Sequence, residues 1–328
     1  MNILITCNNI IPVHKYGGTE RVIWYLGKEL VNMGHHVTFL AQKGSTCSFA
    51  KVIFFDEDPH IYNHLIPKNT DIVHINHSIC PNIAFPYLMT VHGNINSTNI
   101  LDKNIVFVSK NHAQRYQSNQ YVYNGLDWDN YPKPNFNTHR KNFHFLGNAA
   151  WRLKNVKGAI NTIIKTPPEK LDVLGGNRLN FRMGFRFTLH HRIKFHGLCN
   201  DNHKSKIMQQ SKGLIFPVRW NEPFGLAITE SLFYGCPVFG TPYGSLPELV
   251  NHELGFLTTS SYEMSIAIKN SEIYNKKMCH DYAVEFFNSK VMAFNYIQKY
   301  ETILNGNNLN ENNPQLKEIQ TVKFLDWK

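Results

Sequence analysis

Short apolar runs alternate with longer amphipathic stretches along most of the chain, a pattern typical of a fold in which strands and helices alternate. In the first part of the chain the runs predict strands at residues 3–6, 37–40, 52–55, 71–75, 88–92 and 105–108. Between the first two strands, four apolar positions follow helical spacing: Val22, Leu26, Leu30 and Met33. Thr19 is the predicted N-cap of this helix, and Gly34 ends it.

A second series of strands begins near residue 142. The runs predict strands at residues 143–146, 171–174, 193–195, 213–218 and 235–240. Residues 131–138 are rich in turn-forming residues and lack periodicity, which predicts a linker. We therefore expect two α/β domains, at residues 1–135 and 140–280. A long helical pattern follows at residues 282–304, and residues 306–328 are polar enough to predict a loose tail.

Length and composition agree with two domains, because 328 residues exceed one typical core. No apolar run approaches the length of a membrane span, and the first residues lack a basic leader region. These features predict a cytoplasmic protein. The six cysteines are scattered without a C-x-x-C pair, so the sequence predicts reduced thiols rather than a zinc site or disulfides.

Two carboxylates, Glu222 and Glu230, flank a glycine where a loop is predicted to become a helix. A helix that opens near Gly225 would present the backbone N–H groups of Phe224, Gly225 and Leu226 to an anion such as a diphosphate. Glu222 would then lie beside the phosphates, and Glu230, in the second turn, could reach a ribose. The alternative is an ordinary acidic helix start without a ligand.

This segment lies between the strands predicted at 213–218 and 235–240, which makes a βαβ unit. Here the chain resembles the family-4 glycosyltransferases, retaining enzymes whose signature is a Glu, seven residues and a second Glu. The resemblance continues through residues 241–248 and 255–257, although Ser245 stands where a second glycine is common. It covers about residues 1–305. It implies the GT-B fold, with two Rossmann-like doubly wound parallel-sheet domains facing a central cleft and residues 281–305 crossing back to the first domain.

The resemblance also implies further donor-site residues. Gly17 and Gly18 look like the family's glycine loop, although a tight strand-to-helix turn would need the same glycines. His92 resembles the histidine that the family keeps near the donor sugar. Lys157, before Gly158, and Arg152 resemble the cations that face the diphosphate. We reject a metal site at His74 and His77, because one histidine pair at the end of a strand is a poor site. We also reject the triplets Asp56-Glu-Asp58 and Asp127-Trp-Asp129, because cations and a helix N terminus would neutralise the phosphates.

The implied function is transfer of a hexose from a nucleotide sugar, UDP-linked rather than GDP-linked, to a hydroxyl of a glycan or lipid-linked acceptor. The configuration of the donor would be retained by a front-face route in which the departing diphosphate helps to deprotonate the acceptor. No cofactor and no metal are expected. Two alternatives remain at this point: a GT-B relative that acts as a phosphorylase or epimerase, and a non-catalytic module of this fold that binds polyanions.

The positive charge of the chain is concentrated in one region. Residues 140–194 contain twelve Lys and Arg but only Glu169 and Asp172 as acids, against a net charge of +10 for the whole chain. Arg178, Arg182 and Arg186 recur at four-residue spacing with Phe181 and Phe185 beside them, a basic and aromatic stripe. A solvated face, or a surface at the inner side of a membrane for anionic lipid or a phosphorylated acceptor, would explain this stripe. Nucleic acid is not an expected partner.

Overall fold

The computed structural model describes residues 1–13, 17–55, 63–77 and 83–328. The described chain folds as two compact units. Unit 1 comprises Met1–Val13, Gly17–Trp128 and Phe287–Gln320, and unit 2 comprises Asp129–Phe286 and Thr321–Lys328. The predicted linker, residues 131–138, therefore belongs to unit 2. The chain crosses between the units after Trp128, after Phe286 and after Gln320.

Unit 1 is built on one parallel sheet. Its elements up to residue 115 are β1 Asn2–Cys7, α1 Gly18–Asn32, β2 His36–Ala41, β3 Lys51–Phe54, β4 Ile72–Ile75, β5 Tyr87–Val91, β6 Ile105–Phe107 and α2 Lys110–Arg115. The strand order is β3-β2-β1-β4-β5-β6, and all pairs are parallel. This is the doubly wound order, in which the direction of winding reverses between β1 and β4. All six strands predicted in this region are confirmed.

Helix α1 begins one residue before the predicted N-cap. Gly17 occupies the N-cap position, so Thr19 lies inside the first turn and its predicted capping role is wrong. A Cβ atom at Gly17 would lie about 3 Å from the side chains of Val13 and Glu20, so the close turn before the helix requires glycine. Val22, Leu26 and Leu30 are buried as their spacing predicts.

Unit 2 repeats the same architecture. Its elements are β7 Asn142–Leu146, α3 Val156–Ile164, β8 Leu171–Leu174, β9 Leu179–Asn180, β10 Arg186–Phe187, β11 Ile193–Phe195, α4 Asp201–Gln209, β12 Ser211–Phe216, α5 Leu226–Phe233, β13 Val238–Gly240, α6 Leu246–Leu249, β14 Gly255–Leu257, α7 Ser261–Lys269 and α8 Lys276–Phe286. Six strands form a parallel sheet in the order β11-β8-β7-β12-β13-β14. The reversal lies between β7 and β12, and the predicted strands of this region are confirmed.

The predicted helix at 282–304 is two helices, α8 in unit 2 and α9 Ser289–Leu304 in unit 1. At the junction, backbone groups form hydrogen bonds with Leu126 instead of continuing the helix. The Leu126 N–H donates to the Phe287 carbonyl and the Leu126 carbonyl accepts from Ser289 N–H, both at 3.0 Å. Asn288 then caps α9 by accepting from Val291 N–H. Helix α9 packs on α1. No helix in the described ranges is long and apolar enough to cross a membrane.

The C-terminal segment is not a loose tail, so that expectation is wrong. Leu309 and Leu316 are buried in unit 1. The Asn310 amide donates to the carbonyls of Lys103 and Ile105 at 2.8 and 2.9 Å, beside the edge strand β6. The polar side chains that suggested disorder thus supply hydrogen bonds to the strand edge, which composition alone does not reveal.

The three arginines of the expected basic and aromatic stripe do not form one exposed surface, because Arg186 is buried. Residues 179–187 form the antiparallel hairpin β9–β10, with Arg186 opposite Asn180. The Arg178 guanidinium donates to the carbonyls of Thr188 and Ile193. Arg186 is buried, donates to the Asn177 carbonyl and stacks on Phe195. Arg182 alone of the three lies at the exposed tip.

Three buried histidines and the half-buried His92 give the fold a predicted sensitivity to acid. Burial lowers the pKa of His74, His112 and His144 to about 3 and that of His92 to about 4. The unfolded chain, with histidine pKa values of about 6.5, therefore binds more protons below that pH. We expect the free energy of unfolding to fall as pH drops from about 6.5 toward about 4, by up to ~1.4 kcal/mol per pH unit for each histidine.

Urea unfolding at pH 7 and pH 5 measures this difference. A His252→Gln variant, in which an exposed histidine is removed, should keep the full pH dependence. Equal stability at the two pH values would contradict the prediction.

Candidate functional site

The site in unit 2 lies where ligands bind in doubly wound sheets, at the carboxyl ends of the strands beside the reversal in strand order. The loop after β7 carries Arg152 and Lys154 and leads into α3, which carries Lys157. The loop after β12 carries Glu222 and leads into α5, which carries Glu230. The sheet order thus brings two loops together that are far apart in sequence.

Glu222 is buried and is held by a lysine that the sequence analysis missed. Lys154 Nζ donates to both carboxylate oxygens, at 2.7 and 2.6 Å. Trp220 Nε1 donates to Oε2 at 2.8 Å. The ammonium group also lies 5.1 Å from the ring centres of Trp220 and Phe216. A buried charge pair of this kind is stable only while both partners are present.

A left-handed residue places Lys154 in this position. Residues 152–154 form a single 3₁₀ turn, and Asn155, with φ of 55°, then caps α3 by accepting from Gly158 N–H at 3.1 Å. Asparagine tolerates this conformation, in which glycine is otherwise favoured. Lys154-Asn155 therefore occupies the position before the helix that a Lys-Gly pair would take. Lys157 lies inside α3 and is exposed.

Glu230 is likewise buried beside a lysine. Lys204 Nζ of α4 lies 2.5 Å from its Oε1 and also pairs with Asp201 at 3.1 Å. The Tyr131 hydroxyl donates to the same Glu230 oxygen at 3.0 Å. Sequence analysis could not identify Lys204 or Tyr131, since neither belongs to a local motif and Tyr131 is 99 positions away from Glu230.

Helix α5 begins at Leu226, one residue later than predicted. Gly225 precedes it with φ of +89°, a left-handed conformation that side chains disfavour. Phe224 lies before the helix, and its carbonyl accepts from the Ser245 hydroxyl at 2.6 Å. Gly244 packs so closely on Glu222 that a Cβ atom would lie 2.2 Å from the Glu222 nitrogen. The segment around Ser245, which departs from the family pattern, thus fixes the loop that carries Glu222.

In unit 1 the candidate residues lie at the carboxyl ends of β1 and β5. Gly17 and Gly18 start α1, which follows β1, and His92 follows β5 directly. The Nε2 atom of His92 lies 2.8 Å from Asn76 Oδ1. The Asn76 backbone N–H donates to Thr6 Oγ1 at the end of β1. Since burial lowers the pKa of His92 to about 4, the imidazole is neutral at pH 7.

Arg152 and Lys157 do not contact the Glu222 pair. They line a separate cavity of about 250 Å³ in unit 2. The other lining residues are Ala149, Ala150, Asn155, Val156, Asn180, Gly184, Phe185, Arg186, Arg219 and Phe324. None of them is acidic. The Phe324 ring lies 4.8 Å from the Arg152 guanidinium and 5.3 Å from that of Arg219, so the C-terminal segment forms one wall of this basic cavity.

The described ranges contain no group of three or more His, Cys, Asp or Glu side chains placed to share a metal ion. His74 uses both ring nitrogens, at 2.7 Å from the Tyr300 hydroxyl and 2.8 Å from Thr90 Oγ1. Asp127 accepts from Lys28 Nζ at 2.7 Å. The triplet at residues 56–58 lies outside the described residues. The described cysteines are free thiols, at positions 7, 47, 199, 236 and 279.

Residues 127–283 match the family described as Glycosyl transferases group 1. A comparison with curated proteins finds no match. The chain is similar to the crystal structure of AviGT4, a glycosyltransferase of avilamycin A biosynthesis, with a TM-score of 0.75 and 15% identity over 93% of this chain and 98% of that one. Sucrose-phosphate synthase from Thermosynechococcus elongatus gives a TM-score of 0.73 and 15% identity over 93% of this chain and 99% of that one.

HepE from Anabaena, in complex with UDP and glucose, gives a TM-score of 0.67 and 16% identity over 92% of this chain and 100% of that chain. Sequence identities this low support a similarity of fold alone. With two parallel six-stranded sheets, the architecture is that of the GT-B glycosyltransferases, which confirms the predicted fold class.

Proposed function

We propose that the protein is a retaining glycosyltransferase that moves a hexose from a nucleotide sugar to a hydroxyl of a glycan or lipid-linked acceptor. The observation that carries the proposal is the pair of buried carboxylates around the start of α5, Glu222 and Glu230, each held by a buried lysine. Burying two such pairs costs desolvation free energy, and buried ionisable groups of this kind are concentrated at functional sites. The family match over residues 127–283 supports the same activity.

Glu222 would accept hydrogen bonds from the hydroxyls of the donor sugar. Lys154 would face the diphosphate, because its ammonium group lies against Glu222 while Lys157 lies in the separate basic cavity. This reassigns the role that the sequence analysis gave to Lys157 and Arg152. The N terminus of α5, at Gly225 and Leu226, would add backbone donors to the phosphates.

Glu230 would accept hydrogen bonds from the ribose. Its Oε1 is occupied by Lys204 and Tyr131, which fix the orientation of the carboxylate. His92, a neutral imidazole whose Nε2–H is donated to Asn76 Oδ1, would accept a hydrogen bond from a hydroxyl of the donor sugar through Nδ1. Gly17 and Gly18 would allow close approach of backbone to the ligand. These roles of the unit 1 residues rest on the resemblance of their segments.

The reaction needs no protein nucleophile. The bond between C1 of the sugar and the diphosphate oxygen breaks, and a bond from C1 to the acceptor oxygen forms on the same face. The proton of the acceptor hydroxyl passes to the departing diphosphate. Lys154 and the α5 N terminus stabilise the charge that develops on that leaving group, so no metal ion is required.

The donor is proposed to be UDP-linked. Among similar structures, HepE has been solved with UDP-glucose and starch synthase IV from Arabidopsis thaliana with ADP and acarbose. In a transfer assay with a panel of oligosaccharide and lipid-linked acceptors, we expect UDP-glucose to be used in preference to GDP-mannose. The anomeric configuration of the product, read by NMR, should match the donor, and EDTA should leave the rate unchanged.

Loss of activity in EDTA that returns with manganese would contradict the metal-independent mechanism. A product of opposite configuration would contradict retention. Release of sugar 1-phosphate when inorganic phosphate replaces the acceptor would instead identify a phosphorylase.

A further inference from the structure

The hairpin formed by residues 179–189, which we call the apolar hairpin, leaves its hydrophobic side chains in solvent. Phe181, Met183 and Phe185 have exposed fractions of 73%, 60% and 65%. The exposed apolar side chains of the hairpin are Leu179, Phe181, Met183, Phe185, Phe187 and Leu189. They occupy every second position, and Phe187 pairs with Leu179 while Phe181 contacts Phe185. One face of the hairpin is therefore continuously apolar, more than a soluble protein normally exposes.

Two arginines tie the base of the hairpin to neighbouring backbone. On its opposite face Arg186 is buried and donates to the Asn177 carbonyl at 2.9 Å. Arg178 donates to the carbonyls of Thr188 and Ile193 at 3.3 and 2.9 Å. Arg178 and Arg186 thus join the hairpin to unit 2 on the side opposite the apolar face.

The surroundings of the hairpin are positive. Gly184 and Phe185 line the basic cavity together with Arg152, Lys157 and Arg219. The two acids of the 140–194 region are already paired, Glu169 with Lys212 at 2.7 Å and Asp172 with His196 at 2.7 Å. The cations near the hairpin therefore have no acidic neighbour in the cavity lining to neutralise them.

We propose that the apolar hairpin docks the protein on a bilayer of anionic phospholipid. Phe181, Met183 and Phe185 enter the interface between headgroups and acyl chains, while Arg182 and the basic cavity contact lipid phosphates. Aromatic and aliphatic side chains flanked by cations are the combination that binds such interfaces. A second copy of the chain fits less well, because pairing would bring two positive surfaces together.

The test is cosedimentation of the full chain with vesicles of phosphatidylglycerol and phosphatidylcholine, compared with pure phosphatidylcholine. We expect binding only to the anionic vesicles, weakened by salt. Phe181→Ser combined with Met183→Ser should reduce the vesicle partition coefficient about tenfold or more. Arg182→Glu should reduce it by about tenfold, since reversal replaces an attraction with a repulsion.

The matched control replaces two similarly exposed apolar residues of unit 2 outside the hairpin, Ile273→Ser with Tyr262→Ser, which have exposed fractions of 75% and 68%. This variant should bind vesicles like the parent protein. A far-UV circular dichroism spectrum and a melting temperature like those of the parent protein show that each variant is folded. Neither measurement depends on a nucleotide sugar, so a failure of docking is distinguishable from a failure of the proposed activity.

Several results would overturn the proposal: no vesicle binding by the parent protein, equal binding to both lipid compositions, or a hairpin variant that binds like the control. Competition by inorganic phosphate without any effect of the hairpin substitutions would assign the cavity to a free phosphate ligand instead. A doubled mass in light scattering that Phe181→Ser abolishes would identify a second copy as the occupant.

Discussion

Lys154→Met is expected to lower kcat/KM at least about 100-fold, because it removes the cation proposed to stabilise the departing diphosphate. The same change leaves Glu222 buried with Trp220 as its remaining side-chain donor. We therefore also expect the free energy of unfolding to fall by about 3 kcal/mol. Steady-state kinetics and chemical unfolding measure the two effects.

The matched control is Lys157→Met, three residues further on in an exposed position of α3. It should change kcat/KM less than about threefold if Lys154 holds the diphosphate. A larger loss with Lys157→Met than with Lys154→Met would restore the assignment made from sequence. The double variant Lys154→Met with Glu222→Gln should recover most of the stability but none of the activity.

Lys204→Met is expected to destabilise unit 2 strongly. Glu230 would keep Tyr131 as a donor but lose its cation. Leaving that buried carboxylate without its lysine costs about 3–5 kcal/mol, which corresponds to a fall in melting temperature on the order of 10 °C. Calorimetry measures this change.

Because the loss comes from an unpaired charge, it should be reversible by a second substitution. The double variant Lys204→Met with Glu230→Leu should melt close to the parent protein, while its affinity for the nucleotide falls. Lys206→Met serves as the control, since Lys206 is an exposed lysine of the same helix. A double variant as unstable as Lys204→Met alone would show that the pair is not the cause.

The sheets were predictable because central parallel strands are buried on both faces and read as unbroken apolar runs. Glu222 and Glu230 were identifiable because both lie on one short segment. The lysines that pair with these two carboxylates were not identifiable from the sequence. Lys154 is distinguished from Lys157 only by the left-handed backbone of Asn155, which a Lys-Gly pattern does not include, and Lys204 reaches Glu230 from another helix.

The hairpin at residues 179–189 shows a second limit of prediction from sequence, which concerns the spacing of charged residues. A four-residue interval between arginines fits a helix, where such residues share a face, and also a strand, where they share a side. The apolar residues between them recur at every second position, and this period of two is the signal that decides for a strand. Charge spacing alone could not reveal that Arg186 is buried, or that the exposed Arg178 donates to backbone carbonyls while Arg182 lies at the tip.

The crossings of the chain between units constrain how the protein folds during synthesis. In unit 1, helix α9 packs against α1. In unit 2, residues 321–328 complete the fold: Trp327 lies against Gly158, and the Lys328 backbone forms hydrogen bonds with the backbone of Thr259 and Ser261. A fragment covering residues 129–286 would lack these contacts. Unit 1 therefore cannot be completed before residues 287–320 have left the ribosome, nor unit 2 before residues 321–328, so the two units cannot fold one after the other in the order of the sequence.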